Sequence, residues 1–157
     1  VNIPLVLTHR RTIIVLNGIL FLITLGVVYD AFVLFFRAGN DALPIENLLD
    51  GIATIFVAYG VALEERDTLM KFFRLYPQYL DEGQKETDAV CHFYGLNYLL
   101  VGLFMEVAIE TIKLPHKVFN TLMAEEVVFG IGLVFCLTGC VLLLKNMYLL
   151  SKAPKAS

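Results

Sequence analysis

Four carboxylic acids stand within or at the edge of separate apolar runs at a similar level: Asp30, Asp50, Glu106 and Glu125. With Arg37, Pro44, Lys113 and Asn120 taken as markers of one boundary, Asp30 lies seven residues inward, Asp50 six, Glu106 seven and Glu125 five. At about 1.5 Å per helical residue, all four sit roughly 7–11 Å below that boundary. An ionisable group within a bilayer costs roughly 2.5–3.5 kcal/mol on insertion scales, which makes it a functional hypothesis by default. Carboxylates that converge in a dry site need protons or a cation to offset their repulsion. Together with Glu110, one turn further out on the third apolar run, they form an oxygen-rich, nitrogen-poor set. Such a set suits a divalent cation of the Mg²⁺, Ca²⁺ or Mn²⁺ kind better than zinc or copper. The Glu-x-x-His pairs that build di-iron sites in helix bundles are missing from the sequence. Proton or Na⁺ exchange would need only the acids, water and a route.

The same acids also admit a structural reading. Asp50 and Glu125 fall in first turns of helices, where the dipole favours an acid. Glu46, Glu110 and Glu126 are near enough to the boundary to reach water. Arg37, Lys113 and Lys117 ring that end and can neutralise the group. Asp30 and Glu106 are the deepest and have no cap role.

Three histidines supply the other metal-competent nitrogen atoms. His9 precedes the first apolar run and His92 opens the third, so a bis-histidine haem b could bridge them, while His116 lies in a loop at the opposite end. Haem ligands in bundles sit more often within the helices than at their ends, and interfacial histidines are commonly just solvated. No phosphate loop, nucleophile–base pair, Cys-x-x-Cys or HExxH is present, and nothing recommends catalysis. Three cysteines, an odd number, make no disulfide framework. Cys136 and Cys140 read as small packing residues. Asn17 and Asn97 read as interhelical hydrogen-bonding groups.

The elements that must position these residues follow from composition. Of 157 residues, 58% are hydrophobic and 17% charged, and the mean hydropathy is +0.73. One small globule cannot hide that much apolar surface. A net charge of -3 offers no polyanion-seeking face, so nucleic acid is no partner. Four runs reach the ~20 residues needed to cross a bilayer, at about residues 12–36, 44–63, 90–112 and 127–144. Each must be a helix, because lipid offers no hydrogen-bond partners to the backbone. The first run is longer than a secretory signal, and FFRAGNDALP lacks a small-x-small cleavage site, so it is expected to remain as a span.

Lys and Arg number nine before, between and after alternate spans, against three in the other two loops. That predicts both termini and the loop of residues 64–89 in the cytoplasm, of a bacterial inner membrane or its equivalent. Loops of about seven and fourteen residues on the far side make neighbouring helices antiparallel. The expected fold is all-α: one integral domain over residues 1–157, a transmembrane four-helix up-down-up-down bundle. RDTLMKFFRLY after the second span reads as its continuation or as a short helix in the headgroup layer, with Tyr76, Tyr79 and Tyr148 as interfacial anchors.

At 100° per residue, Gly95, Leu99, Gly102, Glu106 and Glu110 share one line on the third span, with His92 at its edge. Glu46, Asp50, Thr54, Val57, Val61 and Glu64 line up on the second, and Gly132, Cys136 and Cys140 on the fourth. Small residues on such lines allow close helix approach. Three functional expectations result. The first is a non-catalytic integral subunit or helper of a larger membrane complex, in contact with lipid and with other subunits or its own copies. The second is a cation-binding or ion-handling protein built on the acid cluster. The third is a haem-binding electron-transfer subunit.

Overall fold

The computed structural model describes residues 9–37, 43–74, 82–116 and 122–152. Every regular element among them is a helix: α1 Arg10–Arg37, α2 Leu43–Glu64, α3 Arg66–Phe72, α4 Glu82–His116 and α5 Leu122–Lys152. The stretches Arg10–Leu34, Ile45–Glu64, Gly83–Thr111 and Phe129–Lys152 are long and apolar enough to cross a membrane. Each overlaps an expected span, but the third begins at Gly83 rather than near residue 90 and the fourth runs to Lys152 rather than 144. α4 and α5 run well past the apolar part of their sequence, because a helix continues through polar residues as long as its backbone bonds are met.

Local chemistry sets several ends. The His9 carbonyl accepts the Ile13 amide at 3.1 Å, and its Nδ1 accepts the Arg11 amide at 3.2 Å, so His9 caps α1. Pro44 sits in the first turn of α2, where its missing N–H leaves no bond unmade. Glu65 joins α2 to α3 without breaking the hydrogen-bond ladder: Glu65 N–H donates to Val61 O and Leu69 N–H to Glu65 O, both at 2.9 Å. α3 is therefore a short helix that also continues α2, as the sequence allows. It stops at Arg74, whose φ of 52° lies in the left-handed region that ends helices.

The closest packing is between α2 and α4. A Cβ added at Gly60 would come within 2.5 Å of the Leu99 amide nitrogen, and one at Gly95 within 2.5 Å of the Glu64 nitrogen. At Gly102 it would meet the Ala53 carbonyl at 2.7 Å. The two backbones touch along a seam that only glycine permits, which is the close approach expected from Gly95 and Gly102. Residue numbers fall along α4 as they rise along α2. The same opposite sense relates α1 to α5, through Gly18 beside Met147 and Phe32 beside Phe129. Along α2 and α5 they rise together: Leu49 fills the space at Gly132 and Phe56 that at Gly139.

Between the helices lies a core that includes Leu49, Ile52, Phe56, Tyr98, Met105, Cys136 and Leu143. Phe56 stacks on Tyr98 at 6.0 Å between centroids, and Tyr59 and Tyr94 flank the same ring at 5.7 and 6.3 Å. All three cysteines are free and buried, in keeping with packing roles. Large apolar side chains also cover much of the outer surface: Leu22, Tyr29, Val107 and Val134 are each more than 60% exposed. Water does not tolerate contiguous apolar surface on this scale, whereas lipid does.

Candidate functional site

The acids expected to converge take up different positions. Asp30 is exposed on α1, between exposed Tyr29 and buried Ala31 and in line with exposed Gly26 and Ile23. Glu106 is half-buried at the edge of the glycine seam, where its Oε1 accepts the Thr54 hydroxyl at 3.1 Å. Asp50 is half-buried on α2 and Glu110 is exposed on α4. Position 125 falls in the first turn of α5, and the Glu125 side chain lies outside the described residues. Among the described residues no group of three or more His, Cys, Asp and Glu side chains could hold a metal ion. Of the two acids expected to lie deepest, one is exposed and the other is bonded to a neighbouring helix. Asp30 points away from the core, and Glu106 points to the flank of α2.

The two histidines expected as haem ligands are both exposed. The ring of His9 is engaged by its own cap. His92 Nδ1 lies 3.7 Å from Glu64 Oε1, across the end of the α2–α4 seam. α1, which follows His9, packs on α2 and α5, whereas His92 belongs to α4.

The polar groups that do meet form a layer to which each long helix gives one residue. Tyr59 of α2 donates its hydroxyl to Asn17 Oδ1 of α1 at 2.9 Å. Asn146 of α5 donates through Nδ2 to the Tyr98 hydroxyl of α4 at 3.1 Å. Asn17, Tyr98 and Asn146 are all 0% exposed. In a low-dielectric interior such bonds are strong, and their loss is costly. Asn17 thus makes the interhelical bond expected of it. Asn97 does not: its Nδ2 donates to the Phe93 carbonyl of its own helix at 2.7 Å. Asn146 lies beyond the apolar run that marks the fourth span and draws no attention there. Its spacing from Gly139, Leu143 and Leu150, all buried, is the signal that places it inward.

A second buried polar contact ties α3 to α4. Arg66, 3% exposed, forms an ion pair with Asp88. With its amide oxygen turned toward the guanidinium, Gln84 accepts from Arg66 Nη2 at 3.1 Å and from Nη1 at 3.3 Å. Thr87, also buried, bonds to the Gly83 carbonyl at 2.8 Å. In the sequence Arg66 counts only as one of nine flanking cations; the fold makes it a clamp. Beyond it Leu69, Phe72 and Phe73 are exposed beside Lys71 and Arg74. Tyr76 and Tyr79 lie outside the described residues, while Tyr148 is exposed and carries Lys152 Nζ 4.5 Å from its ring centroid.

Among the described residues the polar and close-packed features are the exposed acids Asp30 and Glu110, the glycine seam and the buried hydrogen-bonded layer. Comparison with known proteins yields no relative: no family model matches the chain, and neither a curated protein nor a solved structure does.

Proposed function

We propose that the chain is a small polytopic membrane protein that serves as a non-catalytic integral subunit of a larger membrane assembly. Its four long helices run up-down-up-down, with both termini and residues 64–89 on the cytoplasmic side of a bacterial inner membrane or its equivalent. The opposite sense of numbering across the α2–α4 and α1–α5 contacts supports that topology, and the excess of Lys and Arg in alternate segments supports the orientation.

The observation that carries the subunit reading is Asp30. It is exposed on α1, the least buried of the four candidate spans, about 10 Å inward of Arg37. A carboxyl group facing acyl chains is costly, and such groups almost always face protein or a wet cavity. A neighbouring transmembrane helix that presents an amide, hydroxyl or basic donor at that depth removes the cost. The exposed Thr54–Glu106 pair offers a second polar patch of the same kind on the α2–α4 flank.

The test is photocross-linking in native membranes from a reactive residue at Gly26, one turn from Asp30 and open to its surroundings. A discrete protein adduct that weakens in the Asp30→Leu background supports the reading. Adducts to lipid alone, unchanged by that substitution, refute it. An adduct of twice the chain mass identifies the partner as a second copy.

A further inference from the structure

The buried layer of Asn17, Tyr59, Tyr98 and Asn146 is incomplete in a specific way. Asn17 uses its carbonyl oxygen on Tyr59, and its Nδ2 has no partner among the described residues; Asn146 uses its Nδ2 on Tyr98, and its Oδ1 has none among them. Both atoms are buried in residues that are 0% exposed. They belong to adjacent helices at one level, since Gly18 and Met147, the next residues along, come within 3.8 Å once a Cβ is placed on Gly18. The Tyr98 hydroxyl accepts from Asn146 and still has a proton of its own to give.

We infer that Asn17, Asn146 and Tyr98 bind one water molecule in the core of the bundle. The water accepts from Asn17 Nδ2 and from the Tyr98 hydroxyl, and donates to Asn146 Oδ1. Three bonds are the usual complement of a buried water. Water also fits either orientation of each amide. Turning the Asn146 amide over would let its oxygen accept from Tyr98 and leave a second N–H donor, which water accepts equally well. No other ligand of that size tolerates both arrangements. The bridge links α1 to α5 as Tyr59 links α2 to α1 and Tyr98 links α4 to α5, closing the layer into one network. A fully satisfied polar network fixes helix register more sharply than apolar contacts do.

Nuclear magnetic resonance on the ¹⁵N-labelled chain in lipid nanodiscs tests this. The expected result is a rotating-frame cross-peak between the Asn17 side-chain amide and water. Its sign is opposite to the diagonal, as dipolar contact requires and chemical exchange does not. The cross-peak disappears in Asn146→Leu, with the backbone spectrum otherwise retained. If that variant fails to fold, the wild-type spectrum and a density map of the layer still decide. A scalar coupling from the Asn17 amide directly to the Asn146 carbonyl, or an Asn17 amide without dipolar contact to water, overturns the inference.

Discussion

The Thr54 hydroxyl donates to Glu106 Oε1 at 3.1 Å on the outside of the α2–α4 seam, one helical turn along α4 from the glycine that lets the two backbones touch. Gly102 brings α4 against Ala53 and Val57, and that approach leaves residues 54 and 106 side by side at the rim. The acid of α4 is thus bonded across the seam to α2.

The seam makes a sharp steric prediction. Gly60→Leu and Gly95→Leu drive a side chain into backbone, which cannot move aside, and each should destabilise the protein by about 3 kcal/mol, the upper end of overpacking costs. Gly26→Ala and Gly51→Ala add a methyl group to open space on a helix, and should be neutral or stabilising by up to about 1 kcal/mol. Thermal unfolding in detergent, followed by helical circular dichroism, compares the four.

Arg66 should be as important as a core residue. Arg66→Met breaks the ion pair with Asp88 in a largely buried position and should cost about 3–5 kcal/mol, while the double replacement Arg66→Met with Asp88→Leu should recover most of that loss. A double-mutant cycle from denaturation midpoints reads the coupling. Equal losses in the single and double variants would mean that the ion pair has no such role.

α3 should lie in the headgroup layer. The chain has no tryptophan, so Phe72→Trp introduces a single tryptophan, excited selectively beside the tyrosines, at a position 78% exposed. In vesicles its emission should be blue-shifted and quenched by lipids brominated near the glycerol end of the acyl chain. Emission like that of free tryptophan in water, with quenching only by aqueous iodide, would place this face in solvent.

Much of the fold is legible in the sequence, because crossing a bilayer demands a length and an apolarity that few other structures share. The spans, the buried line Gly132, Cys136, Cys140 and the close approach at Gly95 and Gly102 all follow from spacing. The direction of the acids does not. Periodicity places Gly102 and Glu106 on one line but cannot say whether that line meets the core or a neighbour's flank; here it meets the flank of α2. The Asn146–Tyr98 and Arg66–Asp88 contacts are hidden for another reason. They join residues 48 and 22 positions apart, and Asn146, Arg66 and Asp88 all lie outside the apolar runs that define the spans.

The central claim is that the outward acid on α1 marks where another membrane polypeptide packs. The most direct measurement is affinity purification of the tagged chain from native membranes in mild detergent, comparing wild type with Asp30→Asn and Asp30→Leu at matched expression. The account predicts one stoichiometric membrane partner with the wild-type chain, a reduced amount with Asp30→Asn, and near-complete loss with Asp30→Leu. It also predicts that the isolated Asp30→Leu protein unfolds at the same temperature as wild type or higher, because the residue it replaces is exposed. Equal recovery of the partner with all three proteins, or a wild-type chain that purifies as an isolated monomer, would contradict it.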